Sequence, residues 1–156
     1  MGKLSDRELA LAANYLEYLG TDQYTASDIE KEMFKLGLSY NVYVANKRIY
    51  VQLSGLEDSI EEGIQLFEHI LSSVKPNQKI YDNMVLDIMR ERTDNKLSKW
   101  SIASGMRSYA QYGPKSPFNH FLSIKDLKSI DVDSLTNKIK KLMSFEHYIY
   151  YYGRKN

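Results

Sequence analysis

The sequence predicts an α+β fold in which helices cover one face of a mostly antiparallel sheet. Apolar residues recur at helical spacing in several segments, and their period changes to two in residues 38–53 and again near the carboxyl end. Helices precede and follow the predicted hairpin instead of alternating with single strands. This order is typical of an α+β domain and not of a parallel sheet built from βαβ units.

Residues 5–19 are predicted to form the first helix. Ser5 and Glu8 have the spacing of a capping box. Gly20 suits the position after the helix, because glycine takes a positive φ without steric cost. The apolar stripe consists of Leu9, Ala12, Ala13, Leu16 and Leu19. Such a stripe indicates a helix that packs along one side.

A second helix and a hairpin follow. Thr25 and Asp28 predict a second cap, and Gly37 predicts the end of that helix. The period of two then predicts two strands joined by a turn at 45–48. The predicted buried face contains Leu38, Tyr40, Val42, Val44, Ile49, Val51 and Leu53.

Helical spacing dominates the next part of the chain. It predicts a helix over 57–74 that stops before Pro76, and a long helical stretch over 78–112. That stretch is expected to bend near 93–96, where Asp94 and Asn95 lower helix propensity.

The last part is predicted to begin with a loop over 112–118. Ser123 with Asp126 caps a short helix, and residues 131–143 form another. Residues 147–152 are predicted to form a third strand, closed by Gly153.

Composition bounds the possible functions. The 156 residues fit one domain, and 21 basic residues against 20 acidic ones give a net charge of +1. No overall field therefore draws the chain to nucleic acid or to an anionic membrane, and we expect neither as a partner. The absence of cysteine excludes disulfides and thiolate metal sites. We expect no signal peptide before the first helix, and no apolar run is long enough to span a bilayer.

Several segments, taken in order, resemble the insulinase/pitrilysin family of zinc metallopeptidases over nearly the whole chain. They read LALAANYLEYLGT, LGLSYNVYVANKRIYVQLSGL, GIQLFEHIL, YAQYGPKSP and YYYG. The resemblance implies repeated α+β domains that pair around a closed chamber. It also implies that one domain of the parent protein holds zinc through the inverted motif His-x-x-Glu-His.

The residues at the motif positions depart from that pattern. Asn14 and Tyr18 stand where the resemblance places the two histidines, and Glu17 stands at the general base. Glu91 is a possible match for the third ligand. Asparagine is a poor zinc ligand and a tyrosine would have to ionise, while catalytic zinc needs three protein ligands. Without the metal, Glu17 has no polarised water to deprotonate.

We therefore expect no catalytic residue, metal or cofactor in this domain, with zinc held in the parent's catalytic domain. The chain resembles the non-catalytic third domain of the family, so we expect it to form the chamber and enclose peptide substrate. Its partners would be neighbouring domains of the same parent and the parent's peptide substrate. The alternative is an inactive scaffold, a protein-binding module of the same fold.

The resemblance also leads us to expect that residues 1–156 are an excised fragment that lacks its first strands. An unpaired sheet edge would then favour self-association. A weaker hypothesis is single-stranded nucleic-acid binding through stacked tyrosines beside basic residues. Its residues are Tyr148, Tyr150, Tyr152, Lys140, Lys141, Arg154 and Lys155.

Other polar groups have alternative interpretations. His69, His120 and His147 lack mutual helical spacing, so structural or surface roles are favoured over a metal site. The acidic residues Asp82, Asp87, Glu91 and Asp94 could hold a cation, but a solvated face with an attractive Arg90–Asp94 pair is favoured. A further group could touch substrate or simply pack at a helix end: Arg107, Tyr109, Tyr112 and Lys115.

Overall fold

The computed structural model describes residues 3–45, 48–119 and 121–153. Seven α-helices and two strands lie within these ranges, and short 3-10 turns follow β2 and α5 and extend α7. The helices are α1 Lys3–Leu16, α2 Ala26–Lys35, α3 Ile60–Ser73, α4 Gln78–Leu97, α5 Lys99–Tyr112, α6 Ile124–Ser129 and α7 Val132–Lys140. The strands are β1 Leu38–Ala45 and β2 Arg48–Gly55. The predicted α+β class is confirmed. No helix among the described residues is long and apolar enough to cross a membrane.

The predicted hairpin is confirmed, with β1 antiparallel to β2 and Ala45 paired with Arg48. The two residues between them, 46 and 47, lie outside the described ranges. Tyr40 pairs with Leu53 and Val42 with Val51. Directly paired residues project to the same side of a sheet, so the predicted apolar face is a single surface. Helices α1 and α2 contact β1, and α3 contacts β2.

Two buried tyrosines connect α1, α4 and α6. Tyr15 of α1 and Tyr81 of α4 meet edge to face with ring centroids 5.6 Å apart. The Tyr15 hydroxyl donates to the carbonyl of Asn77 and accepts from its N–H, both at 2.9 Å. The Tyr81 hydroxyl donates to the Leu127 carbonyl at 2.7 Å. These bonds link α1, α4 and α6 through groups that would be costly to bury unpaired.

The start and end of α1 differ from the prediction. The helix begins at Lys3, so Ser5 lies inside it and is not its N-cap. Glu8 instead forms an ion pair with Lys138 of α7. The helix ends at Leu16, and Gly20 is not among the glycines with positive φ. A Cβ on Gly20 would lie 2.6 Å from the Tyr24 carbonyl oxygen, so the residue must be small for a steric reason.

The other capping signals in the sequence predicted helix ends correctly. The Thr25 and Ser123 capping boxes are both formed, and Gly37 follows α2 with φ of 65°. The long helical stretch breaks at Ser98 and not at 93–96. Ser98 has extended backbone and accepts a bond from the Ser101 N–H at 3.3 Å. A serine N-cap thus decides the position of the break, where weak propensity alone would not.

The predicted third strand is wrong. Within the described residues the sheet contains only β1 and β2, and 147–152 have no strand structure. Tyr150 is 90% exposed, and Tyr148 and Tyr152 are also exposed. The Tyr151 hydroxyl donates to the Glu57 carboxylate at 2.7 Å. Alternating tyrosines suit a pleated, half-buried surface, and no strand in the described chain offers one here.

The core predicts contrasting effects for two isoleucines of α3. Ile70 is 0% exposed and Ile64 is 47% exposed. We expect Ile70→Ala to lower the free energy of unfolding by about 2–5 kcal/mol, because it leaves a cavity. Ile64→Ala, the matched control, should change it by less than about 1 kcal/mol. Urea unfolding of both variants checks this, and equal losses would contradict the observed packing.

Alkaline pH should weaken folding through Tyr81. Burial, with the charge of Asp82 adding to it, raises the pKa of Tyr81 from 10.0 to about 12. Between these values the unfolded chain releases the phenolic proton while the folded chain keeps it, so the free energy of unfolding falls as pH rises. Well below pH 10 the phenol keeps its proton in both the folded and the unfolded chain, so its titration does not change the free energy of unfolding there.

Tyr81→Phe removes this titration, so its unfolding free energy should decline less steeply between pH 10 and 12. The variant should also start from a lower value by about 1–3 kcal/mol, because the Leu127 carbonyl loses its partner. Urea unfolding across this pH range measures both effects. Identical slopes for the variant and the unsubstituted protein would contradict the assignment.

Candidate functional site

The predicted zinc-motif positions Asn14, Glu17 and Tyr18 lie at the carboxyl end of α1, the motif helix. The N–H groups of Tyr18 and Leu19 donate to carbonyls three residues earlier, on Tyr15 and Leu16, both at 3.1 Å. Such bonds narrow the final turn to 3-10 geometry. Positions 14 and 18 would stack one above the other only if the turn between them were α-helical. The backbone therefore does not present them as an α-helical pair.

Asn14, Glu17 and Tyr18 are all exposed at this helix end. Helix α1 contacts β1, the strand that contains Tyr40. Burial raises the pKa of the Tyr40 hydroxyl, and the negative charge of Glu17 raises it further. Tyr40 packs on Phe67 with ring centroids 5.6 Å apart. The helix end thus stands over the apolar face of the hairpin.

These residues do not fit a catalytic zinc ion. Catalytic zinc takes three protein ligands, usually imidazole or carboxylate, and keeps one position open. Here the helix offers an amide, a phenol and one carboxylate. Glu91, the possible third ligand, is exposed on α4. In the described part of the chain, no three His, Asp or Glu side chains are grouped to hold a metal.

Thr21 lies between α1 and α2 and organises a loop that α3 contacts. Its hydroxyl accepts from the N–H groups of Gln23 at 3.2 Å and Tyr24 at 3.1 Å. His69 Nε2 of α3 lies 3.2 Å from the same oxygen. The N–H of Lys75 donates to the Gly20 carbonyl at 3.1 Å. Thr21 and His69 therefore have a structural function in the fold.

The remaining predicted groups do not converge on one place. His120 lies outside the described residues, and His147 is exposed beside the Phe145 carbonyl. The acidic residues of α4 are exposed, as expected for a solvated face. Arg90 pairs with Asp87 at 3.2 Å and not with Asp94 as predicted. The two charges are three residues apart and meet on the same helical face.

A cavity of about 480 Å³ lies beside α5, at a place that the sequence analysis only partly identified. Arg107 lines it, as do side chains that the sequence did not identify as candidate site residues: Asn95, Trp100, Ser101, Ser104 and Phe118. Tyr109, Tyr112 and Lys115 are exposed nearby in sequence but do not line it. The sequence did contain a signal for this cavity, namely Trp100, the only tryptophan of the chain.

Solved structures with the same architecture identify the fold. A peptidase M16 inactive domain from Pseudomonas fluorescens superposes with a TM-score of 0.66 and 16% identity, over 85% of this chain and 32% of that one. The fold is that of a peptidase M16 domain. The insulinase-like fold expected from the sequence is thus confirmed.

Two proteases share this M16 fold. The periplasmic protease PqqL from Escherichia coli has a TM-score of 0.66 and 12% identity, over 92% of this chain and 16% of PqqL. The ferredoxin protease FusC, in a mutant form complexed with Arabidopsis ferredoxin, has a TM-score of 0.64 and 11% identity, over 86% of this chain and 15% of FusC. The chain therefore spans less than a third of each similar protein. No family model and no curated protein matches it.

Substitutions at Thr21 should separate the contribution of its hydroxyl to stability from that of its side-chain shape. Thr21→Val removes the acceptor for two backbone N–H groups and the partner of His69. We expect it to lower the free energy of unfolding by about 1–2 kcal/mol. Thr21→Ser keeps the hydroxyl and should lie within about 0.5 kcal/mol of the unsubstituted protein. Urea midpoints measure both, and equal losses would mean that the hydroxyl has no part in the loop.

Proposed function

We propose that this chain is a non-catalytic, chamber-forming domain of an insulinase/pitrilysin-like zinc peptidase. It encloses peptide substrate, while another domain of the same protein holds zinc and performs hydrolysis. The observation that supports this most directly is an M16 fold whose motif helix has Asn14 and Tyr18 where zinc would need imidazole. The scaffold is present and the ligands are absent from those positions.

The likeness to an inactive M16 domain supports the same division of labour. The matched region makes up 15% to 32% of each similar chain, which suits one domain among several. In this role the apolar face of the hairpin and the helices over it supply a rigid wall. Glu17 remains as a carboxylate above Tyr40, with no metal-bound water to activate.

Exposed apolar residues near the start of the hairpin suit contact with a neighbouring domain. Phe34 is 84% exposed at the end of α2, and Leu56 is exposed just after β2. Backbone bonds join these two places through Gly37, whose N–H donates to Phe34 and whose carbonyl accepts from Leu56. Apolar groups that are left in water at adjoining positions are typical of surfaces that another protein unit covers.

The alternative function is an inactive scaffold or protein-binding module of the same fold. This function fits the same fold and the same absence of imidazole at positions 14 and 18. It differs from the chamber function in which other domains the parent protein contains. If the parent reading frame encodes His-x-x-Glu-His in another M16-like domain, the chamber function is favoured. A parent with no such motif would favour the scaffold.

Zinc titration tests the proposed inactivity. We expect no stoichiometric zinc binding by calorimetry and no chelator-sensitive cleavage of a quenched fluorescent peptide by this chain. Glu17→Gln is the matched control, because it removes the one carboxylate at the motif position without changing side-chain size. The variant should behave like the unsubstituted protein in both assays.

Tight stoichiometric zinc binding, with cleavage that is lost in Glu17→Gln, would overturn the inactive assignment. The enclosing role has its own test in the whole parent protein. Removal of this domain should leave the zinc content unchanged while cleavage of peptides falls. Unchanged cleavage after removal would count against a chamber wall.

A further inference from the structure

The segment around α5 differs in charge from the rest of the chain. Residues 95–125 contain five basic residues, and all 20 acidic residues of the protein lie elsewhere. The five are Lys96, Lys99, Arg107, Lys115 and Lys125, and all are exposed. Within the described ranges, none of them forms an ion pair with a carboxylate. A net charge of +1 for the whole chain conceals this local excess of basic residues in the sequence.

Helix α5 buries none of its residues among those described. It contacts α4 and the 3-10 turns at 113–115 and 117–119, and Gly105 lies against the Phe118 ring. Trp100 is 80% exposed, and Ile102, Met106 and Tyr109 are also exposed. These side chains leave apolar surface on α5 that a partner could cover.

The cavity beside α5 combines features of a recognition site. Its volume of about 480 Å³ falls within the roughly 300–1,000 Å³ that ligand sites occupy. Trp100 and Phe118 supply aromatic surface, and Arg107 supplies a planar donor suited to carboxylates. Ser101 donates to the Asn95 side-chain oxygen at 3.0 Å, so the asparagine amide nitrogen stays available as a donor.

We infer that the α5 surface, centred on Arg107 and Trp100, binds an acidic polypeptide segment. A side-chain carboxylate of the partner would pair with the Arg107 guanidinium, and an apolar side chain would lie against Trp100 and Phe118. The neighbouring lysines would add a weaker, salt-sensitive attraction. This site is separate from the motif helix, so it does not depend on the proposed inactivity toward zinc.

A polypeptide fits better than nucleic acid or a membrane. Affinity for a phosphate backbone comes from several cations along one track, but among the described residues Arg107 alone of the cations lines the cavity. A flat bilayer meets one side of a helix. Trp100 lies on the opposite side of α5 from Ile102 and Tyr109 at 100° per residue, so a bilayer could not cover both. A peptide chain can follow the cavity and also reach across the helix.

The single tryptophan makes the test direct, because Trp100 itself lies in the cavity. The probe is a short synthetic peptide of alternating acidic and Leu or Phe residues, with no tryptophan, titrated into the whole chain at low salt. We expect the Trp100 emission to shift to shorter wavelength on binding. The affinity should fall as salt is raised.

Arg107→Gln should weaken peptide binding about tenfold or more, since a charge-assisted pair is lost. Arg90→Gln is the matched control, because Arg90 is an exposed arginine on α4 that does not line the cavity. It should change the affinity less than about twofold. Circular dichroism should show both variants folded. Equal weakening in the two variants would overturn the assignment of Arg107.

Two comparison probes make the choice of partner falsifiable. A mixed-sequence single-stranded oligonucleotide and vesicles rich in phosphatidylglycerol are titrated under the same conditions. Tighter binding of either one, with an Arg107-dependent response, would replace the acidic polypeptide by nucleic acid or a membrane surface. The absence of any Trp100 response to the peptide at low salt would also overturn the proposal.

Discussion

The arrangement of the helices depends on two hydroxyl groups that cannot be buried alone. Tyr15 and Tyr81 lie in the core, and each must find a hydrogen-bond partner there. Tyr15 uses both backbone groups of Asn77, the residue whose side chain caps α4. Tyr81 reaches the Leu127 carbonyl of α6. The start of α4 and the position of α6 are thereby fixed relative to α1, which in turn lies over the hairpin.

Local chemistry explains which parts of this fold were predictable. The Thr25 and Ser123 boxes and the period of two in the hairpin involve residues close in sequence, and each appears as expected. Misses occur where a distant group decides the outcome. Glu8 binds Lys138 of α7 instead of capping its own helix. The tyrosines near the carboxyl end have strand propensity, but a strand requires a neighbour that local sequence cannot supply.

The two sites were predictable to different degrees. The identities of Asn14, Glu17 and Tyr18 are enough to argue against zinc, whatever the backbone does. The Thr21–His69 contact joins residues 48 positions apart, so no local pattern predicts it. At α5 the relevant signal was present as a local absence of acidic residues. The net charge of the whole chain does not reveal this local absence of acidic residues.

The stacked pair of Tyr43 and Tyr50 has a consequence for how the chain folds. Their rings lie 5.1 Å apart and nearly parallel, two residues from the strand ends that flank the turn. They are on the opposite side of the hairpin from Val42 and Val51. A slip of one residue would separate the rings and also turn the apolar residues away from the helices. The short connection between the strands makes their closure cheap in conformational entropy, so the stacked rings and the apolar face together favour the native register over a slipped one.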